Sequence, residues 1–352
     1  MISFSRSLQV RRLNRLRFFG FIALLTFLLL SVIVVENLLV STLVAFVISY
    51  LLSPIVNNLE RRGFDRFWST LWTFMIAGIL IGLIVFLILP NFSTALLTLQ
   101  KEAPKYINGF SRLIEDLEIR GRRLLGPLFP LELKEYAVDS LTKHSENFFN
   151  EVPRFLKQTL TVMILGPFIA FFMIKDGRSL LRQAFNLVPN HIFETALSLQ
   201  HQINHQIGHF VRARLLEALI VGLVTWIGLV MIRFPFSLLL ALFAAITNLI
   251  PYIGPLIGMI PAVIIALVNG VSSFDLLLLF GVYAIAQVID GAFLIPFFVA
   301  RLVNLHPVTV ILVIIAGAQF MGVLGMIISI PVASTLKVTL ESIYRHLTES
   351  QV

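Results

Sequence analysis

The sequence contains no cysteine among its 352 residues, and charged side chains make up only 13% of it. The absence of cysteine excludes disulfide bonds and cysteine-ligated zinc or iron–sulfur sites. Soluble domains carry about 25% charged residues. The low charge, together with 58% hydrophobic residues, therefore predicts a chain that lies mostly in a lipid bilayer. The stretch from Phe234 to Ala300, which has no lysine or arginine, is the clearest case.

The net charge of +8 is the one property that could indicate a nucleic-acid partner. The arginines, however, stand in short clusters beside apolar runs, and no aromatic RNA-binding motif or zinc spacing accompanies them. Such clusters are typical of the cytoplasmic ends of membrane helices. We therefore expect the lipid bilayer and a small-molecule or cation substrate as partners, with no nucleic acid, no cofactor and no metal site.

A helix that crosses a bilayer needs about 20 mostly apolar residues. Six segments meet this requirement, with approximate ends: 18–35, 38–56, 67–89, 159–174, 212–232 and 274–300. The first has a basic flank but no small-residue cleavage pattern after it, so we expect an uncleaved helix rather than a signal peptide. The placement of lysine and arginine puts both termini in the cytoplasm.

Two further apolar runs, 236–268 and 306–336, each have to begin and end on one side of the membrane if the neighbouring helices keep this orientation. We therefore predict two re-entrant hairpins that enter from opposite sides, the second turning near Gly317, Gly322 and Gly325. Inverted repeats with broken helices are a recurrent plan in secondary transporters.

The fold class predicted is an all-α polytopic membrane protein with six spanning helices and two re-entrant helical hairpins. Apolar residues at helical spacing predict amphipathic helices outside the membrane, two of them within 91–156 and a cytoplasmic one over 178–210. The predicted regions are an N-terminal tail with three spans (1–89), an extracytoplasmic segment (90–157), the fourth span with the cytoplasmic helix (158–211), a transport core (212–340) and a cytoplasmic tail (341–352).

The first hairpin carries a cluster of helix breakers. Prolines remove backbone donors and interrupt the helix, which frees carbonyl groups at membrane depth. With uncharged side chains nearby, these carbonyls could bind a hard cation or a neutral polyol; the alternative is a kink that is simply packed in protein. The candidate residues are Asn248, Pro251, Tyr252, Gly254 and Pro255.

Asp290 is the strongest single candidate for a functional side chain. It lies about three turns, roughly 15 Å, before Arg301, and a carboxylate at that depth marks an ion or proton pathway. Gln287 lies one turn away on the same face. We expect Asp290 to exchange a proton for a cation; the alternative is a structural hydrogen bond to the broken hairpin.

Two weaker candidates complete the predicted site. Gln319 is the possible counterpart in the second hairpin, where the alternative is close helix packing through Gly322 and Gly325. Glu217 lies one turn into its helix, and an i,i+3 pair with Arg214 near the membrane interface explains it without a function.

Several segments of the chain resemble the autoinducer-2 exporter (AI-2E) family of bacterial permeases. The matching segments are 50–54, 59–63, 175–178, 251–255, 287–296, 305–307 and 322–326. Two positions depart from the family pattern: Ala292 stands where asparagine is frequent, and Asp290 where glutamate is common. The resemblance implies a multi-pass, homo-oligomeric permease. Family members include exporters of a signalling molecule and sodium or lithium/proton antiporters, so the substrate stays open.

The function predicted is a secondary transporter that moves a small polar solute or a cation across the bacterial inner membrane. Coupling to protons or sodium and alternating access around the broken hairpins complete this hypothesis. The alternatives are an uncoupled oligomeric channel and a membrane scaffold that recruits partners through 91–156. An enzyme is not expected, because the sequence has no zinc-protease, serine-hydrolase or phosphate-loop motif.

Overall fold

The computed structural model describes residues 26, 34, 35, 37–125, 133–186, 188, 193–251, 253–292 and 306–349. This part of the chain is helical and contains no strand. Its helices are α1 (Leu38–Arg61), α2 (Arg66–Leu125), α3 (Leu133–Phe185), α4 (Phe193–Met231), α5 (Ser237–Asn248), α6 (Gly254–Val268), α7 (Ser273–Ile289) and α8 (Pro307–Glu349). The all-α class predicted from the sequence is confirmed.

Five helices in the described residues are long and apolar enough to cross a membrane: Leu38–Arg61, Arg66–Arg120, Lys157–Phe185, Phe193–Met231 and Ser273–Ala292. They correspond to five of the six predicted spans; the first, 18–35, lies almost entirely outside the described residues. Large apolar side chains such as Ile79, Leu83 and Phe86 are exposed along α2. Since water disfavours such a surface, the helix face suits lipid, and the chain is a polytopic membrane protein.

The long helices α2 and α3 differ from the predicted division into short spans and separate amphipathic helices. Helix α2 continues through Pro90 and Pro104, and α3 already begins at Leu133. The predicted outer helices are therefore extensions of membrane helices. The physical reason is that adding a residue to an existing helix is favourable, and that a proline, which removes one hydrogen bond, can kink a helix without ending it.

The predicted single cytoplasmic helix over 178–210 is wrong. Helix α3 ends at Phe185, and α4 begins at Phe193 and continues without a break to Met231. The sequence has Pro189 between them, and the residue before a proline disfavours the helical conformation. The apolar periodicity on the two sides of Pro189 belongs to two helices.

The chain forms two compact units, one made of residues 1–78 and 153–200, the other of 79–152 and 201–352. In the first unit, Glu60 accepts hydrogen bonds from Arg66 (2.9 Å) and Arg178 (2.8 Å), and Arg178 also donates to Asn57 (2.9 Å). Arg66 donates further to the backbone carbonyl of Ile174 at 3.0 Å. We call these four side chains, Asn57, Glu60, Arg66 and Arg178, the Glu60 cluster; it joins α1, α2 and α3.

The apolar core of the second unit includes part of α2. Leu229, Leu240 and Leu279 are fully buried there, and Tyr106 of α2 packs in the same cluster. The Tyr106 ring meets Phe236 edge-on, with centroids 6.4 Å apart. The C-terminal half of α2 therefore contributes to the core formed with the helices after it.

Helices α5 and α6 form a tight hairpin in the second unit. They contain 12 and 15 residues, fewer than the roughly 20 needed to cross a bilayer. Glycines allow their close approach: a Cβ at Gly254 would overlap the backbone carbonyl of Thr247, and one at Gly258 would lie 3.1 Å from the Cα of Ala244.

Helix α8 also reverses direction. Its backbone leaves the helical conformation at Met321 (φ −142°) and Gly322 (φ 59°). A Cβ at Gly317 would overlap the carbonyl of Gly325, and the reverse is also true. Residues eight positions apart are about 12 Å apart in a straight helix. The contact therefore means that the two arms of α8 fold back on one another.

Candidate functional site

The break between α5 and α6 retains most of its backbone hydrogen bonds. The amide of Ile250 donates to the carbonyl of Thr247 (2.9 Å), and that of Gly254 donates to Ile250 (2.9 Å). Asn248 ends α5 and is only 3% exposed, yet its side-chain Nδ2 has no hydrogen-bond partner among the described residues. Pro251 is buried in the turn, and Tyr252 lies outside the described residues. The unsatisfied group at the break is therefore a side-chain amide.

Helix α4 holds a buried ion pair near the middle of its length. Arg214 Nη1 donates to both carboxylate oxygens of Glu217 at 2.8 Å. Both residues are buried, and only 1% of the Glu217 surface is exposed. The i,i+3 pairing expected from the sequence is present, but protein encloses the pair, which was expected at the interface between membrane and water. Breaking such a pair by removing one partner typically costs about 3–5 kcal/mol.

Asp290 at the end of α7 lies beside this ion pair. Its carboxyl group is close enough to that of Glu217 to interact with it electrostatically. Asp290 is 4% exposed, and the chain there forms a π-helical turn, a distortion frequent at functional sites. We call Arg214, Glu217 and Asp290 the charge cluster. The structure thus brings two predicted site residues, Glu217 and Asp290, into one group.

The charge cluster has an excess of negative groups. The cluster contains one guanidinium, which pairs with Glu217, and a second carboxyl group, that of Asp290, so it carries one negative charge when both acids are ionised. Oxygen Oδ1 of Asp290 and Nε of Arg214 have no hydrogen-bond partner within the described part of the chain. An uncompensated charge is costly in a low-dielectric interior. One proton or one monovalent cation at Asp290 would restore neutrality.

A cavity of about 480 Å³ lies between α4, α5, α6 and α7. Its size is in the range of small-molecule sites. Pro255 and Gln287, both predicted site residues, line it, together with Thr225 and Tyr283. Within the described residues, Thr225 Oγ1 and Tyr283 OH have no hydrogen-bond partner.

Gln319 lies on the first arm of α8 and is exposed. It belongs neither to the charge cluster nor to the residues described as lining the cavity. Gly317, Gly322 and Gly325 shape the reversal of α8, and Gly254 the packing of the α5–α6 hairpin. The structure therefore groups the predicted residues into the charge cluster, the cavity and two glycine contacts.

Sequence reasoning missed Thr225 and Tyr283 and gave Arg214 only a supporting role. A signal existed, because Glu217, Val221 and Thr225 recur every four residues and so share one face of α4. Tyr283, Gln287 and Asp290, spaced by four and three residues, likewise share one face of α7. Following those faces beyond the charged residues leads to the lining of the cavity.

The described helices, with their exposed apolar faces and the buried polar groups between them, define a polytopic membrane protein. The AI-2E family transporter model matches residues 21–345, and the chain belongs to that family.

Three relatives carry names of the same kind. YrrI of Bacillus subtilis (strain 168), named as a transport protein, is 30% identical over 221 residues, which are 61% of this chain and 62% of YrrI. YueF of the same organism, also named as a transport protein, is 35% identical over 184 residues, which are 52% of this chain and 49% of YueF. PerM of Escherichia coli (strain K12), named as a permease, is 29% identical over 87% of this chain and 88% of its own. The matches to YrrI and YueF thus span less than two thirds of those proteins.

Proposed function

We propose that the chain is a secondary transporter of the bacterial inner membrane, with both termini in the cytoplasm, that moves a small polar solute or a cation. The charge cluster binds the coupling ion, and a proton and a monovalent cation compete for Asp290. The observation that carries this proposal is the buried Asp290 carboxyl, which lies beside the Arg214–Glu217 pair and keeps an oxygen without a hydrogen-bond partner among the described residues.

The position of the charge cluster supports coupling. Its carboxyls come from two different helices, α4 and α7, so neutralising Asp290 changes the repulsion between these helices. An ion with differential affinity for two arrangements of the helices shifts the population between them. The tight α5–α6 hairpin and the two arms of α8 are the broken elements around which access would alternate.

The first test uses purified protein in proteoliposomes with an imposed pH gradient and an internal pH dye. Addition of sodium, lithium or potassium is expected to collapse the gradient with one or two of these cations. Asp290→Asn removes the exchangeable charge and is expected to abolish the collapse. Asp275→Asn is the matched control, because Asp275 begins the same helix, is exposed, and only caps it together with Ser272.

Each result of this assay bears on the proposal. Normal collapse by Asp290→Asn would exclude the charge cluster as the coupling site. Collapse by all three cations alike would favour the alternative of an uncoupled channel. If no cation collapses the gradient, cation exchange is contradicted, and uptake of labelled metabolites into inverted vesicles tests proton-coupled export.

A further inference from the structure

The cavity between α4, α5, α6 and α7 differs chemically from the charge cluster. None of the described residues that line it carries a charge. Most are apolar: Val221, Ala244, Pro255, Leu256, Met259, Phe280, Ala284 and Ala286. The polar side chains are Thr225, Tyr283 and Gln287. A charged molecule would leave its hydration shell here without gaining a counter-charge, whereas an uncharged molecule with an apolar body would not.

The hydroxyl of Thr225 differs from those of several other helical threonines in the described residues. Thr42, Thr73 and Thr247 each donate to the carbonyl four residues earlier, at 2.7 to 2.9 Å. Thr225 Oγ1 is fully buried and has no partner in the described part of the structure. A buried hydroxyl without a partner is unfavourable. The site is therefore incomplete without a further hydrogen-bonding group.

Tyr283 gives a second observation of the same kind. Tyr106 donates its hydroxyl to Glu102 at 2.9 Å, whereas Tyr283 OH, on a residue only 9% exposed, has no partner among the described residues. Thr225 and Tyr283 come from different helices and line the same cavity. Two unpaired hydroxyls beside a wall that is apolar apart from Gln287 fit a ligand with one polar end.

An apolar layer separates the cavity from the charge cluster. Val221 lies one helical turn from Glu217, and Ala286 one turn from Asp290. Val221 and Ala286 are buried against each other and form the floor of the cavity. The ion and the cavity's ligand therefore have separate places along the same pair of helices.

We infer that this cavity binds an uncharged amphipathic small molecule, the transported solute, with its hydroxyl or carbonyl end at Thr225 and Tyr283. Its apolar body lies against Leu256, Met259 and Phe280. This inference rests on the proposed transport function. It narrows the solute to a neutral compound with one polar end and excludes strongly charged metabolites.

The test uses the absence of cysteine in the chain. Ala284→Cys places a thiol in the lining of the cavity, and N-ethylmaleimide reports its accessibility in proteoliposomes. Gly281→Cys, one turn away on the same helix where a Cβ meets open space, is the matched control. The probes are cyclohexylmethanol, methylcyclohexane and cyclohexanecarboxylate, which share a ring and differ in polarity and charge.

Cyclohexylmethanol is expected to slow the labelling of Ala284→Cys and to leave Gly281→Cys unchanged. Methylcyclohexane should need an about fivefold higher concentration for the same protection, because it lacks one neutral hydrogen bond. Cyclohexanecarboxylate should not protect. Thr225→Val replaces the hydroxyl by a methyl group of similar size, and Tyr283→Phe removes the hydroxyl. Either change, added to Ala284→Cys, should reduce the difference in protection between cyclohexylmethanol and methylcyclohexane.

Equal slowing at both cysteines would show a bilayer effect and overturn the inference, as would equal protection by the carboxylate. If Ala284→Cys does not react, Met259→Cys reports from another wall of the cavity; absence of protection there also overturns it. The assay measures binding and not ion movement. Lost protection with intact cation exchange therefore contradicts the ligand, and lost exchange with intact protection contradicts the coupling.

Discussion

Two clusters of charged side chains, one in each compact unit, contain the same kinds of residue in opposite proportions. In the Glu60 cluster, two arginines share one carboxylate, and the side chains of Glu60 and Arg178 are 29% and 54% exposed. In the charge cluster, one arginine pairs with Glu217, a second carboxyl, that of Asp290, lies beside the pair, and Glu217 is 1% exposed. The first is partly exposed and joins helices; the second is buried and has one positive charge fewer than its two carboxyls require. The comparison shows that pairing and burial together, not charged residues as such, distinguish a structural contact from a candidate site.

The largest effect that would test this difference is expected at Arg214. Arg214→Met leaves two buried carboxyls without a cation, so we expect a loss of about 3–5 kcal/mol in stability and a large fall in thermal midpoint. Thermal unfolding of the purified protein in detergent measures it.

The double variant Arg214→Met with Glu217→Met is the control. It removes the pair together and should recover much of the loss, because apolar residues of similar size replace a buried pair with little cost. A single variant as stable as the wild type would mean that the charge cluster is hydrated, which would remove its difference from the Glu60 cluster.

A medium effect is expected from the glycine contacts. Gly254→Ala forces a methyl group into the Thr247 carbonyl, and overpacking of this kind costs about 1–3 kcal/mol. In the first unit, Gly166→Ala meets only a Val44 methyl group, at 3.1 Å, which can move. The thermal midpoint of Gly254→Ala should therefore be well below that of Gly166→Ala. The reverse order would contradict the tight α5–α6 hairpin.

The smallest effect is expected at Glu60. Glu60→Gln keeps a hydrogen-bond acceptor and weakens two partly exposed ion pairs, each worth about 0–1 kcal/mol. The thermal midpoint should fall slightly at low salt and by less at high salt, since salt screens exposed charges. Cation exchange in proteoliposomes should persist. Loss of exchange in this variant would show that the Glu60 cluster also takes part in transport.

Local patterns in the sequence predicted the membrane-spanning helices well. Apolar length identified five spans that the described structure contains, and the break after Asn248 follows from Pro251. Boundaries outside the apolar runs were harder to predict. Pro90 does not end α2, and Pro189, not the periodicity over 178–210, marks the separation of α3 from α4. A single proline permits either outcome, and the packing around it decides.

The sequence alone determined that this chain is an all-α membrane protein with glycine- and proline-interrupted helices and a carboxylate within an apolar run. These properties depend on the composition of contiguous residues and on spacing within one helix. Only the tertiary structure showed that Asp290 lies beside the Arg214–Glu217 pair, and that Thr225 and Tyr283 line one cavity. The reason is that periodicity fixes which face of a helix a residue occupies, whereas the partner of that face is chosen by the packing of helices distant in the chain.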